Sequence, residues 1–244
     1  QCGQALALLA EVALEATLPE SELERLRRRR LADLLRRRAD PSALADRYFA
    51  RALYGAGTYG WPLVGDEAAA TAITRDDCFD FRARHLIPSG SYLGAGGDFD
   101  PGRLREDAAA AFGAWRGPTA TPPPTPAPLE RQGLAVQVVD HAGATQTELR
   151  IGHVGIPKRH PDRVTLVVLN AILGGKFTSR INLNLRERHG WTYGASSRFA
   201  DRRGAGPFVV SAAVITEKAG EAPREVLDEQ GIIYAEAPPG SVVM

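Results

Sequence analysis

The sequence predicts an α/β protein, sheets flanked by helices, in two successive domain-like segments joined by a proline-rich linker. Three observations predict it. Residues 117–128, GPTATPPPTPAP, hold six prolines in twelve positions, which removes amide donors and favours an extended polyproline conformation. Before that stretch helix signals dominate. After it, strand-type apolar alternation flanks a helical block on both sides. The resulting divisions are residues 1–116, a linker over 117–131, and residues 132–244.

The elements follow in order. QALALLAEVALEATL carries apolar residues on most of one helical face, and in PESELER the Ser21/Glu24 spacing is that of a capping box ahead of a second helix. Helix signals persist to about residue 55. Thr74 and Asp77 repeat the capping logic ahead of a helix ending near His85. SYLGAGGDF reads as a short strand and DPGRLREDAAAAFGAW as a further helix. Beyond the linker, LAVQVVDH and TELRIGHVG read as strands. DRVTLVVLNAIL starts a helical block that reaches about Arg188 around a break at Gly174-Gly175, and WTYGASSRF and GPFVVSAAVIT are strands. GEAPREVLDEQ opens like a helix, while GIIYAEAPPGSVVM offers no amphipathic continuation, so the second segment stops short of a full set of elements.

Composition bounds the function. A chain of 244 residues, 44% hydrophobic and 24% charged, has enough apolar side chain for a buried core. Its formal net charge of +1 gives no bulk attraction to nucleic acid or to a membrane surface. No run of eighteen apolar residues suggests a membrane span, and the first residues lack the pattern of a signal peptide. Cys2 and Cys78 fall in neither a disulfide framework nor a zinc-type spacing.

Each chemical motif has a plain structural counterpart. Eight arginines between Arg25 and Arg38 suggest a phosphate-binding face, yet Leu23, Leu31, Leu34 and Leu35 interrupt them at helical spacing, as in a solvated helix with one buried stripe. GAGG at 94–97 lacks the third glycine of a dinucleotide loop, having Phe99 there. The five histidines, His85, His141, His153, His160 and His189, form neither H-E-x-x-H nor H-x-x-E-H. No G-x-S-x-G is present. NLRERHGWTYG, residues 184–194, reads as a helix end, a left-handed Gly190 and a strand start, with Arg186 and Tyr193 on either side of the turn. A guanidinium beside a phenol suits a peptide carbonyl or a developing oxyanion. The alternative is that Arg186 complements the helix C-terminus and Tyr193 packs as a half-buried strand residue.

Taken together, TELRIGHVGIPKRHPDRVTL and LNAILGGKFTSRINLNLRERHGWTYGASSRF resemble the second, non-zinc-binding domain of the pitrilysin/insulinase family of zinc metallopeptidases, which includes the mitochondrial processing peptidase. LPESELERLRRRRLADLLRRRADPSALADRYFARALYG, GWPLVGDEAAATAITRDDCFDFRARHLIPSGSYL and GGDFDPGRL resemble, in that order, the later part of a family domain. The resemblance spans nearly all of residues 3–228. It implies the tail of one family domain, the linker, and the head of the next.

The resemblance also implies roles. An Arg and a Tyr seven residues apart help bind substrate near the zinc in the family, and Arg186 and Tyr193 match that pair. The family's zinc is held by an inverted H-x-x-E-H, missing here, and by a glutamate on a later helix. That helix corresponds to residues 20–38, where the ligand position falls on Asp33 and the supporting glutamate position on Leu26. The implied protein is a component of a zinc metallopeptidase, inactive alone. It holds peptide substrate, binds no zinc itself, and relies on zinc in an H-x-x-E-H partner or in a preceding part of the protein. A structural core-type subunit with no peptidase role is the other class the fold admits, and nucleic-acid binding through the arginine helix is a third. The resemblance fits a bacterial cell envelope, periplasm or cytoplasm, and the cysteines do not choose among them.

Overall fold

The computed structural model describes residues 2–125, 127–129, 133–231 and 242–243. Its helices are α1 (Cys2–Leu14), α2 (Glu20–Arg38), α3 (Pro41–Tyr54), α4 (Glu67–Ala72), α5 (Arg75–His85), α6 (Pro101–Phe112), α7 (Arg163–Leu173), α8 (Arg180–Asn182) and α9 (Ala222–Gly231). The strands are β1 (Ala135–Val136), β2 (Gln146–Val154), β3 (Thr192–Phe199), β4 (Pro207–Ile215) and β5 (Val242–Val243). The fold is mixed: many helices and one small, mainly antiparallel sheet. Two compact units are distinguished, Gln1–Asp33 with Asp66–Pro123, and Leu34–Gly65 with Pro124–Met244. The proline-rich stretch has no regular secondary structure in its described residues. Residues 232–241, which hold most of GIIYAEAPPGSVVM, lie outside the described residues.

The first unit is helical. Leu6 and Ala10, four apart and so on one face, are the buried residues of α1, which packs on α6. Its arginines clamp helix ends. Arg27 donates to the carbonyls of Ala70, Thr71 and Ile73 at 2.6, 2.7 and 2.6 Å, the acceptors that the end of α4 leaves unpaired. Arg75 donates to Leu18 and Thr17, and Arg82 to Ala16, in the turn beyond α1. Part of the arginine enrichment thus has a structural use independent of phosphate.

Two expectations need correction here. Ser21 does not cap α2, because the Pro19 carbonyl already accepts from Glu22 and Leu23 at 3.0 and 3.1 Å and the helix opens at Glu20. SYLGAGGDF is not a strand: it is glycine-rich, Tyr92 is exposed, and no strand of this unit lies among the described residues to pair with it. The Thr74/Asp77 capping box is present, with Asp77 N donating to Thr74 Oγ1 at 3.1 Å and Thr74 N to Asp77 Oδ2 at 2.8 Å.

The second unit holds the sheet, in strand order β1-β5-β2-β4-β3. β2 and β4 pair antiparallel from Gln146↔Ile215 to Val154↔Pro207, and β3 pairs antiparallel with β4. Side chains alternate between faces along each strand. Leu149 and Ile151 of β2 and Phe208, Val210 and Val214 of β4 join one core with Leu173, Ile181, Leu185 and Val226 from the helices. Val209 joins Phe49, Ala52, Leu53 and Tyr54 of α3 in another. Covered on both faces, the start of β4 is apolar at every position, PFVV. Arg150, almost fully buried, ties β2 to α3 through Asp46 Oδ1 at 2.6 Å and Ser42 Oγ at 2.7 Å, and bonds Glu148 at 2.8 Å. Burial pushes the Tyr54 phenol up to about 12, against the opposing Arg202 charge, so it stays protonated and donates to Ala205 O at 2.8 Å.

Two aspartates make stability depend on acid. The hydrogen bond from the Thr74 side chain holds Asp77 below the ordinary aspartate range, and that from Arg163 does the same for Asp201. A carboxyl whose folded pKa is depressed stabilises the fold above its unfolded pKa, and the contribution is lost as pH falls through the folded value. Asp77→Asn/Asp201→Asn should therefore melt below the parent near neutrality. The two melting curves should converge as pH is lowered past the aspartate range in a calorimetric series.

Candidate functional site

The segment from Gly174 to Ser197 builds the site. α7 ends where Gly174 N and Gly175 N both donate to Asn170 O, at 2.9 and 2.7 Å. A Cβ on Gly174 would lie 2.8 Å from Ser197 N and 2.3 Å from Ser197 Oγ, so the helix end can approach β3 this closely only with glycine there. β3 is an outer strand, and α7 and α8 seal part of its free edge. Ser197 N donates to Gly174 O at 2.8 Å, Asn170 Nδ2 donates to Ser197 O at 2.9 Å, and Ala195 N donates to Asn182 Oδ1 at 2.9 Å.

α8 continues as a π-helix, Leu183–Arg188, in which His189 N reaches back to Asn184 O at 3.1 Å. Such widened turns recur at functional sites. The helix ends as the spacing predicts: Gly190 has φ +66 and donates to Arg186 O at 3.0 Å, turning the chain into β3. A Cβ at Gly190 would meet nothing, so its conformation rather than crowding calls for glycine.

Arg186 lies in the last turn with 34% of its side chain exposed. Its guanidinium carbon sits 4.3 Å over the Phe177 ring, a stacking geometry that holds the planar group without using its donors. Nη1 is buried and has no hydrogen-bond partner, and Nε lies 3.6 Å from Glu187 Oε1, beyond hydrogen-bond reach. Donor capacity is left over.

Tyr193 sits in a register irregularity between Thr192↔Val214 and Ala195↔Ala212, a bulge of the kind that re-aims side chains. Thr192 and Ala195 on either side are buried, while Tyr193 is 91% exposed. It is therefore not the half-buried packing residue of the plainer reading. Thr192 Oγ1 accepts from Gly194 N at 3.1 Å and donates to Gly194 O at 2.9 Å, closing the bulge locally. Arg186 and Tyr193 flank one glycine turn, and no hydrogen bond joins their side chains.

Asp33 and Leu26 lie on α2. At three and four residues on either side of Asp33 stand Arg29, Arg30, Arg36 and Arg37, so its helical neighbours are cations. Leu26 is half exposed and offers no donor atom. Among the described residues no group of three His, Cys, Asp or Glu side chains is arranged to hold a metal. The residues at this position do not fit zinc. Cys2 and Cys78 are free thiols, and among the described residues no helix is long and apolar enough to cross a membrane.

Phe177 and Asn182 went unnoticed in the sequence. The signals were a phenylalanine stranded in a turn just after Gly174-Gly175-Lys176, and two asparagines, Asn182 and Asn184, inside an otherwise apolar helical pattern.

Comparison with known proteins identifies the family. The model of the peptidase M16 inactive domain matches residues 72–232, more than half the chain. An uncharacterized zinc protease of Streptomyces coelicolor is 26% identical over 205 residues, covering 81% of this chain and 44% of that protein. One from Mycobacterium leprae is 30% identical over 204 residues, covering 81% and 45%. The chain spans about half the length of the curated relatives it matches. The crystal structure of a peptidase M16 inactive domain from Pseudomonas fluorescens superposes with a TM-score of 0.83 at 27% identity, over 96% of this chain and 56% of that one. This chain belongs to the peptidase M16 family through its inactive domain, the pitrilysin/insulinase kinship its motifs imply.

Proposed function

We propose that this chain holds peptide substrate for a zinc peptidase through Arg186 and Tyr193, while the zinc is supplied by an H-x-x-E-H partner or domain. In this reading residues 1–116 are the later part of one family domain, 117–131 the linker, and 132–244 the head of the inactive-type domain. The observation that carries it is the pairing of a fully displayed phenol on a bulge with a half-buried guanidinium that has an unused donor, seven residues apart across one glycine turn. Side chains that served only packing would bury the ring and satisfy the donor. A peptide carbonyl is an acceptor that both groups suit, and the cationic neighbours of Asp33 leave the metal chemistry to another polypeptide segment.

Reconstitution tests the reading. Co-expression with an H-x-x-E-H protein encoded beside this one should give a complex that cleaves a quenched fluorescent peptide, with little cleavage by either component alone. Tyr193→Phe should lower the rate of that complex and leave its melting temperature unchanged, since the ring and its surroundings are kept. Full activity of the partner by itself, or indifference of the complex to loss of the hydroxyl, would refute the proposal.

A further inference from the structure

The geometry points to Asn182 as the positioning residue that sets both members of the Arg186/Tyr193 pair through one carboxamide. The functional part of this inference rests on the peptide-holding role given to that pair. Asn182 is only 2% exposed, in the middle of the second unit's core. Its Nδ2 donates to Phe177 O at 2.6 Å, and its Oδ1 accepts from Ala195 N at 2.9 Å. Phe177 carries the ring on which the Arg186 guanidinium lies. Ala195 is the residue at which β3 resumes pairing after the bulge that carries Tyr193.

Among the described residues no other side chain bridges Phe177 and Ala195 by hydrogen bonds. The 66% exposure of Phe177 means its ring is not wedged in place by core packing, so its backbone anchor determines where the platform stands. The bulge is similarly anchored at one end by the Thr192 hydroxyl and at the other by Asn182. A carboxamide suits this position because it presents a donor and an acceptor side by side in a fixed plane. A carboxylate or an aliphatic group supplies at most part of that pair, and a hydroxyl, which can donate and accept, does so from one atom rather than from two set apart in a plane.

Nuclear magnetic resonance of the isotopically labelled chain tests this without any peptide. Phe177→Leu, a change at an exposed ring, removes the ring current and defines the unshifted position of the Arg186 Nε–H proton. Asn182→Leu fills the same space but makes neither bond. It should move that proton to its Phe177→Leu position and raise the mobility of the Tyr193 amide in nitrogen relaxation, with the sheet signals of β2 and β4 in place. A folded Asn182→Leu protein in which both signals stay put would overturn the inference, whatever its melting temperature. If Asn182→Leu does not fold, exchange in the parent chain decides. The Ala195 amide must exchange slowly, as one held by a buried acceptor does, and rapid exchange sinks the idea. In the reconstituted peptidase, Asn182→Leu added to the Arg186→Ala/Tyr193→Phe double variant should lower kcat/KM no further than that double variant alone, since it acts only through those two side chains. If Arg186→Ala has no effect there, the peptide-holding role fails, and the positioning of the side chains is still judged by the spectra alone.

Discussion

Arg186→Ala is expected to lower kcat/KM of the reconstituted peptidase roughly 10- to 100-fold, while Arg188→Ala, two positions on and so on another side of the turn, changes it little. A charge-assisted hydrogen bond to a substrate carbonyl contributes about 1.5–3 kcal/mol, and each ~1.4 kcal/mol is a factor of ten. Arg186 enters the encounter already stacked on Phe177 with Nη1 unpartnered, so little rotamer entropy remains to be lost on binding. If the bond strengthens as charge develops on the carbonyl oxygen, the loss falls on kcat; if it is equally strong throughout, the loss falls on KM. Steady-state kinetics of the two variants separate these cases. Equal effects from Arg186→Ala and Arg188→Ala would reduce the role to general basic charge.

Phe208→Ala should be the most damaging change to the second unit's stability. The ring is fully buried and meets Phe199 at 4.8 Å and His153 at 5.4 Å between centroids, its register partners on β3 and β2. Truncating a buried phenylalanine costs about 3–5 kcal/mol through lost transfer energy and the cavity left behind. With roughly 2–4 °C of melting temperature per kcal/mol in chains of this size, the expected fall is about 6–20 °C by differential scanning calorimetry. Phe208→Leu, which leaves a smaller hole, should lose roughly 1–1.5 kcal/mol. A loss near zero for the alanine variant would mean that β3 and β2 close over the gap.

What the sequence made legible was local. The Thr74/Asp77 cap and the left-handed Gly190 follow from residues within a few positions of each other, and they stand where spacing puts them. The same local reading puts Arg186 at a helix end and Tyr193 at a strand start, while their substrate-holding role comes from the family resemblance and not from spacing. What escaped depends on distant contacts. The π-helical turn is wound by Asn184 O and bordered by Asn182, which reaches Phe177 and Ala195, and periodicity alone reads such a stretch as ordinary helix. α3 groups with residues far later in the chain because Phe49, Ala52 and Leu53 cover Val209, and no window of sequence contains both. SYLGAGGDF reads as a strand despite its three glycines, but strands exist by pairing, and no partner stands among the described residues of its unit. Arg27 belongs to what reads as a solvated arginine face until the carbonyls of Ala70, Thr71 and Ile73 that it closes come into view.

The sealed outer edge of β3 has a colloidal consequence. A bare strand edge is a template on which identical chains can stack, the first step of many precipitates and fibres. Here the amides of Ala195 and Ser197 and the carbonyl of Ser197 are already spoken for by Asn182, Gly174 and Asn170. An incoming strand would have to strip those three residues from the edge before it gained a bond of its own. Along that stretch the side chains that order the helix–strand junction also guard the protein's solubility, so a sequence drifting at Asn170 or Asn182 would risk clumping in the cell.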